Sequence, residues 1–465
     1  MWHVNHATRR CAIPSGQWYA DAIKETNGEG AVMNTIEDAR IEARKTLGTI
    51  YILQGAPGCG KSTWIKDNGL ERFTVSPDAI RTAINLDPLV FDGEHVRNGY
   101  DFSPETSAIA FDIARRIVGS RMRRGQTIIF DSTGARRKTM NGILQEAMLW
   151  SYRVVWVDMQ ADVSIDTVIK RNASRGIRTV PEDIVRKSYE NVANFEILKY
   201  EFKETPEQVI DDEFVPIVNA DQWKHVRIIG DVQGCWNAIE RSGVTKPDAD
   251  TLYVFAGDLF DRGPDNDKVF DWAVMHANDD NIVFVLGNHD AYTRYYGRIA
   301  QKDNLTRSTK QTVEQIMDKS VVAGHSDKRM RSAAKDLYES FTKVFAFRYH
   351  GQEYMVTHGG IDPEVFTDAY NAEKDAYAIG FMSQQDYYYG TGTTVNTGDY
   401  STDIDRIIHD RQSEVIQFHG HRNEHHIAAD AYDDVFNLED SVEREGYLRV
   451  ASIHDDGITV DKYTD

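Results

Sequence analysis

Residues 55–63, GAPGCGKST, combine three glycines, a lysine and two hydroxyls in a span able to close around phosphate oxygens. Gly55, Gly58 and Gly60 allow backbone N–H groups to approach the β- and γ-phosphates. Lys61 neutralises those phosphates, and Ser62, with Thr63 beside it, can hold Mg²⁺. The ligand implied is ATP or another nucleoside triphosphate with Mg²⁺. Three strings downstream narrow the chemistry. SPDAIR places Asp78 and Arg81 three apart, and a carboxylate at Asp78 can accept the proton of an attacking hydroxyl. DSTGARRK brings Asp131 to the end of a further strand. RNASRGIRTVPEDIV carries Arg171, Arg175 and Arg178 on a helical lid, and arginines closing over phosphates stabilise phosphoryl transfer.

A second group of strings lies in the other half: GDVQGC (230–235), GDLFDRG (257–263), GNHD (287–290), THGG (357–360) and HGH (419–421). Asp231 and Asp258 are hard oxygen ligands. Asn288, His358 and His421 complete a mixed oxygen and nitrogen shell suited to Mn²⁺, Zn²⁺ or iron, with Ni²⁺ a further option. Arg262 can clamp phosphate oxygens through its planar fork. Gln233 stands where a second ligand, usually histidine, is expected, and its amide oxygen is a weaker donor than imidazole. Between His419 and His421, the Gly-His step favours His421.

Positioning these groups requires strands that end at them. TIYIL, ERFTV, TIIFD and YRVVWVDM alternate with helical patterns, which predicts a parallel sheet with helices on both faces. A second strand series, HVRIIGD, LYVFAGD, IVFVLGN and EYMVTHG, carries polar motifs at its carboxyl ends, where α/β sheets place their sites. The fold class expected is α/β: a P-loop domain followed by an α/β domain built as a two-sheet sandwich flanked by helices. Residues 1–46 form an extension with one amphipathic pattern, MNTIEDARIEARKTL. The first domain spans 47–215, with EFKETPEQVIDDEF (201–214) read as a linker. The second spans 225–465 with a polar helical insertion at about 304–345.

The 465 residues are enough for two or three independent cores, and 41% hydrophobic and 27% charged content is ordinary for a globular chain. The net charge of −20 is uneven. Residues 1–224 hold 29 basic against 31 acidic side chains, and residues 225–465 hold 24 against 42. Such a protein does not coat nucleic acid non-specifically, although RRIVGSRMRRG, ARRK and KRNASRGIR can grip a strand end locally. No apolar run long enough for a membrane span or a signal sequence occurs. The three cysteines cannot build a disulfide framework, so a reducing cytoplasm (that of a host, if the chain is viral) is expected.

Residues 48–200 resemble the kinase domain of the phage polynucleotide kinase–phosphatase family, from GAPGCGKSTW through Asp78, Arg81 and Asp131 to the RNASRG and VP strings. The resemblance implies that Asp78 is the general base, that Arg81 and Arg175 contact phosphates, and that Lys61 and Ser62 serve the nucleotide. The D-x-D-G-T phosphatase signature of that family does not occur here. Residues 226–455 instead resemble the calcineurin-like metallophosphoesterases, and GDVQGCWNAIE matches their bacterial diadenosine tetraphosphatase branch. That resemblance implies a metal pair about 3.5–4 Å apart bridged by Asp258. It also implies that His289 protonates the leaving oxygen while Asp261 or Asp290 orients it. The acid near FNLED, Glu439, matches too weakly to be assigned.

A site adding phosphate and a site removing it are futile unless they act on different positions. Nucleic-acid end healing supplies that logic: phosphorylation of a 5′-hydroxyl and removal of a 3′-phosphate or 2′,3′-cyclic phosphate. RNA or DNA ends would be the substrates. A separate polynucleotide ligase would act downstream, since no K-x-D-G motif is present, and self-association is left open. The alternative is a small-molecule kinase joined to a dinucleotide or protein phosphatase.

Overall fold

The computed structural model describes residues 48–84, 89–91, 96–98, 104–150, 152–198, 201–211, 214–290, 307–322, 327–366, 370–372, 375–379, 382, 384–390, 400–421, 423 and 426–465. The amphipathic pattern at 33–47 lies outside them, with the rest of the N-terminal extension.

TIYILQ has no polar alternation and forms β1 (Thr49–Gln54), buried along its whole length, as a strand covered on both faces should be. It is followed by β2 (Thr74–Val75), an antiparallel pair β3 (Leu89–Phe91) and β4 (Val96–Asn98), then β5 (Ile128–Asp131), β6 (Arg153–Asp158) and β7 (Phe202–Glu204). The sheet order is β2–β5–β1–β6–β7, parallel throughout. From β1 the chain runs to one side through β2 and β5, then crosses to β6 and β7. The crevice at the carboxyl end of β1 is where such sheets hold ligands.

Two expectations change here. ERFTV is not one strand: Gly69, at φ 64, opens a 3-10 turn over Leu70–Phe73, and only Thr74 and Val75 pair at the sheet edge. The acidic stretch 201–214 is not a free linker. Phe202–Glu204 pairs with β6, Val209 is fully buried, and Phe214 begins a strand of the second domain.

That strand is β8 (Phe214–Asn219), followed by β9 (His225–Ile229), β10 (Thr251–Phe255), β11 (Ile282–Phe284), β12 (Val344–Tyr349), β13 (Gln352–Thr357), β14 (Tyr370–Asn371), β15 (Ala376–Ala378), β16 (Ile416–His419), β17 (Val435–Asn437), β18 (Leu448–His454) and β19 (Gly457–Tyr463). They form two mixed sheets, β11–β10–β9–β18–β19 and β14–β15–β8–β12–β13–β16–β17. Residue alternation makes the sandwich. Val226, Ile228 and Val254 meet Phe345, Phe347 and Val356 in one core between the sheets. Ile229, Tyr253 and Phe255 turn outward to a second core under helices. The insertion is two helices, Arg307–Val322 and Asp327–Ser340, and its Val313, Ile316, Met330 and Leu337 complete that second core. Among the described residues no helix is long and apolar enough to cross a membrane.

Candidate active sites

In the first domain, the turn after β1 leads directly into the helix Lys61–Asp67. Gly58 sits at φ 100, and a Cβ there would stand 2.5 Å from the Val168 carbonyl oxygen, so this turn requires glycine. Lys61 Nζ curls back onto the Gly55 carbonyl at 2.6 Å. A cleft of about 760 Å³ opens beside it, and Lys61, Asp78, Arg81, Asp131, Arg171 and Arg175 all line it. Arg178, expected with the other arginines, is exposed on the 3-10 turn Gly176–Arg178 and is not part of the cleft wall.

Asp78 lies in the first turn of the helix Pro77–Ile84, while the Ser76 hydroxyl accepts the Ala79 N–H, so the cap is Ser76. That leaves the Asp78 carboxylate 60% exposed to the cleft, ion-paired with Arg81 at 2.6 Å. Arg81 is nearly buried and also donates to Ser107. Burial raises the Asp131 carboxyl above its usual range, and the Lys61 ammonium partly offsets that.

In the second domain six strand ends converge. Asp231 follows β9, Asp258 follows β10, Asn288 follows β11, His358 follows β13, His421 follows β16, and Glu439 follows β17. Asp231, Asp258 and His358 are buried, each offering a ligand atom within 4.8 Å of the others. His358 Nδ1 lies 2.9 Å from the Ala256 carbonyl oxygen, which fixes that nitrogen as the donor. Nε2 then faces Asn288 Oδ1 at 3.1 Å and Asp258 Oδ1 at 3.4 Å. His421 donates its backbone N–H to Asp231 at 3.2 Å, and its ring lies 5.1 Å from that of His358. His419 instead pairs with Asp405 at 2.6 Å, a buried structural contact. The glycine before His421 is a steric necessity, because a Cβ on Gly420 would stand 1.8 Å from Asp231 Oδ1. Gln233, Asp258, Asp261, Arg262 and His421 all have positive φ, the local strain that clusters at functional sites.

The residues present fit divalent cations. Burial, reinforced by Glu439 and Asp258, pushes the Asp231 carboxyl well above its usual range. Burial and Glu443 push Glu439 to about 7. Burial works in the same direction on Asp258, but His358 and His289 overcome it and hold that carboxyl well below its usual range. Gln233 Nε2 donates to Asp258 Oδ2 at 2.9 Å, leaving Oε1 buried without a hydrogen-bond partner among the described residues. Turning the amide over would set its oxygen against a carboxylate, so the orphan oxygen is available to a cation. Glu439 Oε2 is likewise buried and unsatisfied. Glu439 is the residue that sequence reasoning left unassigned. Its signal was an acid two residues after a short strand, among 73 acids in the chain.

His289 Nδ1 lies 2.9 Å from Asp261 Oδ2. Burial disfavours the imidazolium, but Asp258 and Asp261 outweigh it and raise His289 above the usual value. Asp290, the other candidate for orienting His289, has a different part: its carboxylate accepts the backbone N–H groups of Leu259 and Gly287 and so ties the two motif loops together. Burial and Asp258 raise it to about 7. Arg262 Nη2 lies 2.9 Å from His289 Nε2, and Nη1 donates to the buried Glu443 at 3.2 Å. Glu443 carries no motif signal in the sequence.

A phosphate loop at a parallel-sheet crevice and a buried carboxylate–imidazole cluster at the ends of a sandwich define a P-loop domain and a metallophosphoesterase-type domain in one chain. Comparison with known families agrees: residues 50–194 match the AAA domain, and residues 224–440 match the calcineurin-like phosphoesterases. The chain is a fusion of these two domains, kinase-like and phosphoesterase. It is similar to a symmetrical bis(5′-nucleosyl)-tetraphosphatase of Chromobacterium violaceum, with 37% identity over 84 residues, 17% of this chain and 29% of that protein. It is also similar to an asymmetrical bis(5′-nucleosyl)-tetraphosphatase of Anoxybacillus flavithermus, with 29% identity over 29% of this chain and 56% of that protein. The chain thus spans less than a third of the first relative and just over half of the second. Among solved structures, a protein serine/threonine phosphatase of Saccharomyces cerevisiae aligns at 15% identity and TM-score 0.36, over 53% of this chain and 81% of that one.

Proposed function

We propose that the chain is a two-site phosphoryl enzyme that phosphorylates a hydroxyl in its first domain and hydrolyses a phosphoester in its second. The observation that carries the first activity is the cleft in which Lys61, Asp78 and Arg81 meet beside Asp131. Lys61 with Ser62 takes the phosphates of a nucleoside triphosphate, and Arg171 and Arg175 close on them. Asp78 accepts the proton of the attacking hydroxyl, and Arg81 turns from Asp78 to the acceptor's phosphate when substrate binds.

In the second domain Asp231, Asp258, Asn288, His358 and His421 hold divalent cations, Mn²⁺ foremost, with Gln233 and Glu439 at the same pocket. When bound, such ions polarise the phosphate and lower the pKa of an attacking water. Arg262 holds the phosphate oxygens. His289 keeps Nδ1–H on Asp261, while Nε2 accepts from Arg262 Nη2 at 2.9 Å; once Arg262 turns to the phosphate, Nε2 takes up a proton and delivers it to the leaving oxygen.

Polynucleotide ends are the substrate class that gives the fusion a purpose, since the two activities then act on opposite ends of a break before a separate ligase joins them. A second reading, hydrolysis of dinucleoside polyphosphates, is supported by the names of both curated relatives. One experiment separates them. Labelled oligonucleotides with 5′-hydroxyl and 3′-phosphate ends, and diadenosine tetraphosphate, are each incubated with the protein, ATP, Mg²⁺ and Mn²⁺. End healing predicts a new 5′-phosphate and loss of the 3′-phosphate. Cleavage of diadenosine tetraphosphate with untouched oligonucleotide ends would overturn it in favour of the second reading.

A further inference from the structure

The carboxylate that orients His289 is itself held from the far side by the insertion helix. Asp261 is fully buried. Thr309 Oγ1 donates to its Oδ2 at 3.0 Å, Ser308 Oγ to the same oxygen at 3.3 Å, and Thr312 Oγ1 to Oδ1 at 2.7 Å. Thr309 and Thr312 are buried as completely as the acid they serve. The same helix grips this loop a second time. Asn266 Oδ1 accepts the Asp261 N–H at 2.8 Å, while its Nδ2 donates to Gly263 O and to Gln315 Oε1, both at 3.0 Å. Positions 308, 312 and 315 share one face of a helix, with 309 at its edge. Val313 and Ile316 anchor the helix in the hydrophobic core.

With His289 on one side and three hydroxyls on the other, Asp261 is fixed in rotation as well as in place, and the imidazole ring takes its direction from it. We propose that Thr309 and Thr312 are positioning residues for proton delivery, so that the insertion between GNHD and THGG is part of the catalytic apparatus rather than a cap. Replacing their hydroxyls leaves Asp261 buried and held on that side by the longer Ser308 bond at 3.3 Å, so the carboxylate, and the His289 ring with it, turns more easily. The substitutions leave the side chains of Asp231, Asp258 and His358 in place; Arg262 touches the His289 ring at 2.9 Å, and its grip on phosphate is read separately in KM. This inference rests on the reading of His289 as proton donor.

The test compares leaving groups in the full chain supplied with Mn²⁺. Thr309→Val/Thr312→Val is assayed on a nucleoside 3′-monophosphate, whose ribose hydroxyl needs a proton to depart, and on nitrophenyl phosphate, whose phenolate hardly does. The expected result is a fall in kcat of about tenfold or more on the first and less than about threefold on the second. Manganese content and KM stay unchanged, and Thr309→Ser/Thr312→Ser recovers the rate. Equal losses on both substrates, or no loss, overturn the proposal. Should the double variant not fold, Thr312→Val alone carries the same comparison. His289→Ala is the control. If it shows no leaving-group dependence, the role of His289 fails and this inference fails with it. If it does and the threonine variants do not, only the inference fails.

Discussion

At the residue scale, Gln233 is the departure that most affects the metal pocket. Its amide N–H₂ donates to Asp258, and its buried Oε1 is left without a hydrogen-bond partner among the described residues. A carbonyl oxygen is a poorer donor than an imidazole, so Gln233→His should bind Mn²⁺ more tightly by calorimetry without raising turnover. Asp258→Ala should lose bound metal and phosphoesterase activity together, because this carboxylate faces His358, the Gln233 amide and the His289 backbone at once. Undiminished metal content in that variant would remove the pocket from consideration. In the other cleft, Asp78→Asn keeps shape and loses the proton acceptor, so phosphorylation should slow by about 10²-fold or more in a single-turnover assay. A variant with most of its rate would make Asp78 merely the partner of Arg81.

At the scale of elements, the junction between the second insertion helix and β12 carries a conflict the site does not explain. Lys343, immediately before β12, is buried; its ammonium donates to the Met382 carbonyl at 3.3 Å and lies 5.5 Å from the Tyr387 ring centroid. Burial lowers it to about 7, against 10.5 for an ordinary lysine, with Asp386 opposing only in part. Below pH 7 the lysine is charged in both the folded and unfolded states, and the folded protein bears the full cost of the buried ammonium. Between pH 7 and 10.5 the folded form gives up its proton while the unfolded chain keeps one, so this residue's contribution to stability improves with rising pH. Lys343→Met should therefore stabilise the protein at pH 7 by an amount on the order of 4 kcal/mol, and much less near pH 10. Thermal unfolding at both pH values checks it. An equal gain at the two would mean that the buried lysine keeps its proton over this range, as an ordinary lysine does.

At the scale of the whole molecule, the two sites rest on different sheets with separate cores. Lys61→Ala should abolish nucleotide-dependent phosphorylation and leave phosphoesterase turnover within about twofold, since additivity holds for distant sites with no shared partners. Loss of both activities in a protein that unfolds like the parent would show that the domains depend on each other. The boundary is compact: the strand that closes the first sheet and the strand that opens the second are separated by little more than the helix Pro206–Asp211.

Read alone, the sequence located the phosphate loop, β1, β5 and β6 of the first sheet, β9, β10 and β11 of the second and β13 of the third, together with the motif strings the fold brings to their ends, because each of these is a local signal. An apolar run ending in a glycine and a polar residue records a buried strand and its exposed carboxyl end in adjacent positions, as at β1, β9, β10 and β13. It also singled out His421 over His419 from the Gly-His step, and in the fold His421 lies against Asp231 while His419 pairs with Asp405. What it could not determine were groups whose meaning lies in a distant partner. Glu439 against Asp231, Glu443 against Arg262, and Thr309 and Thr312 against Asp261 are ordinary residues in ordinary surroundings until the chain brings the pairs together. The same reason explains the acidic stretch 201–214. Its charge suggests solvent, but its few apolar side chains are enough for short strands once the edges of two existing sheets stand beside them. Local burial leaves a periodic trace in sequence, whereas a hydrogen bond between remote side chains leaves none, so only the tertiary structure decides it.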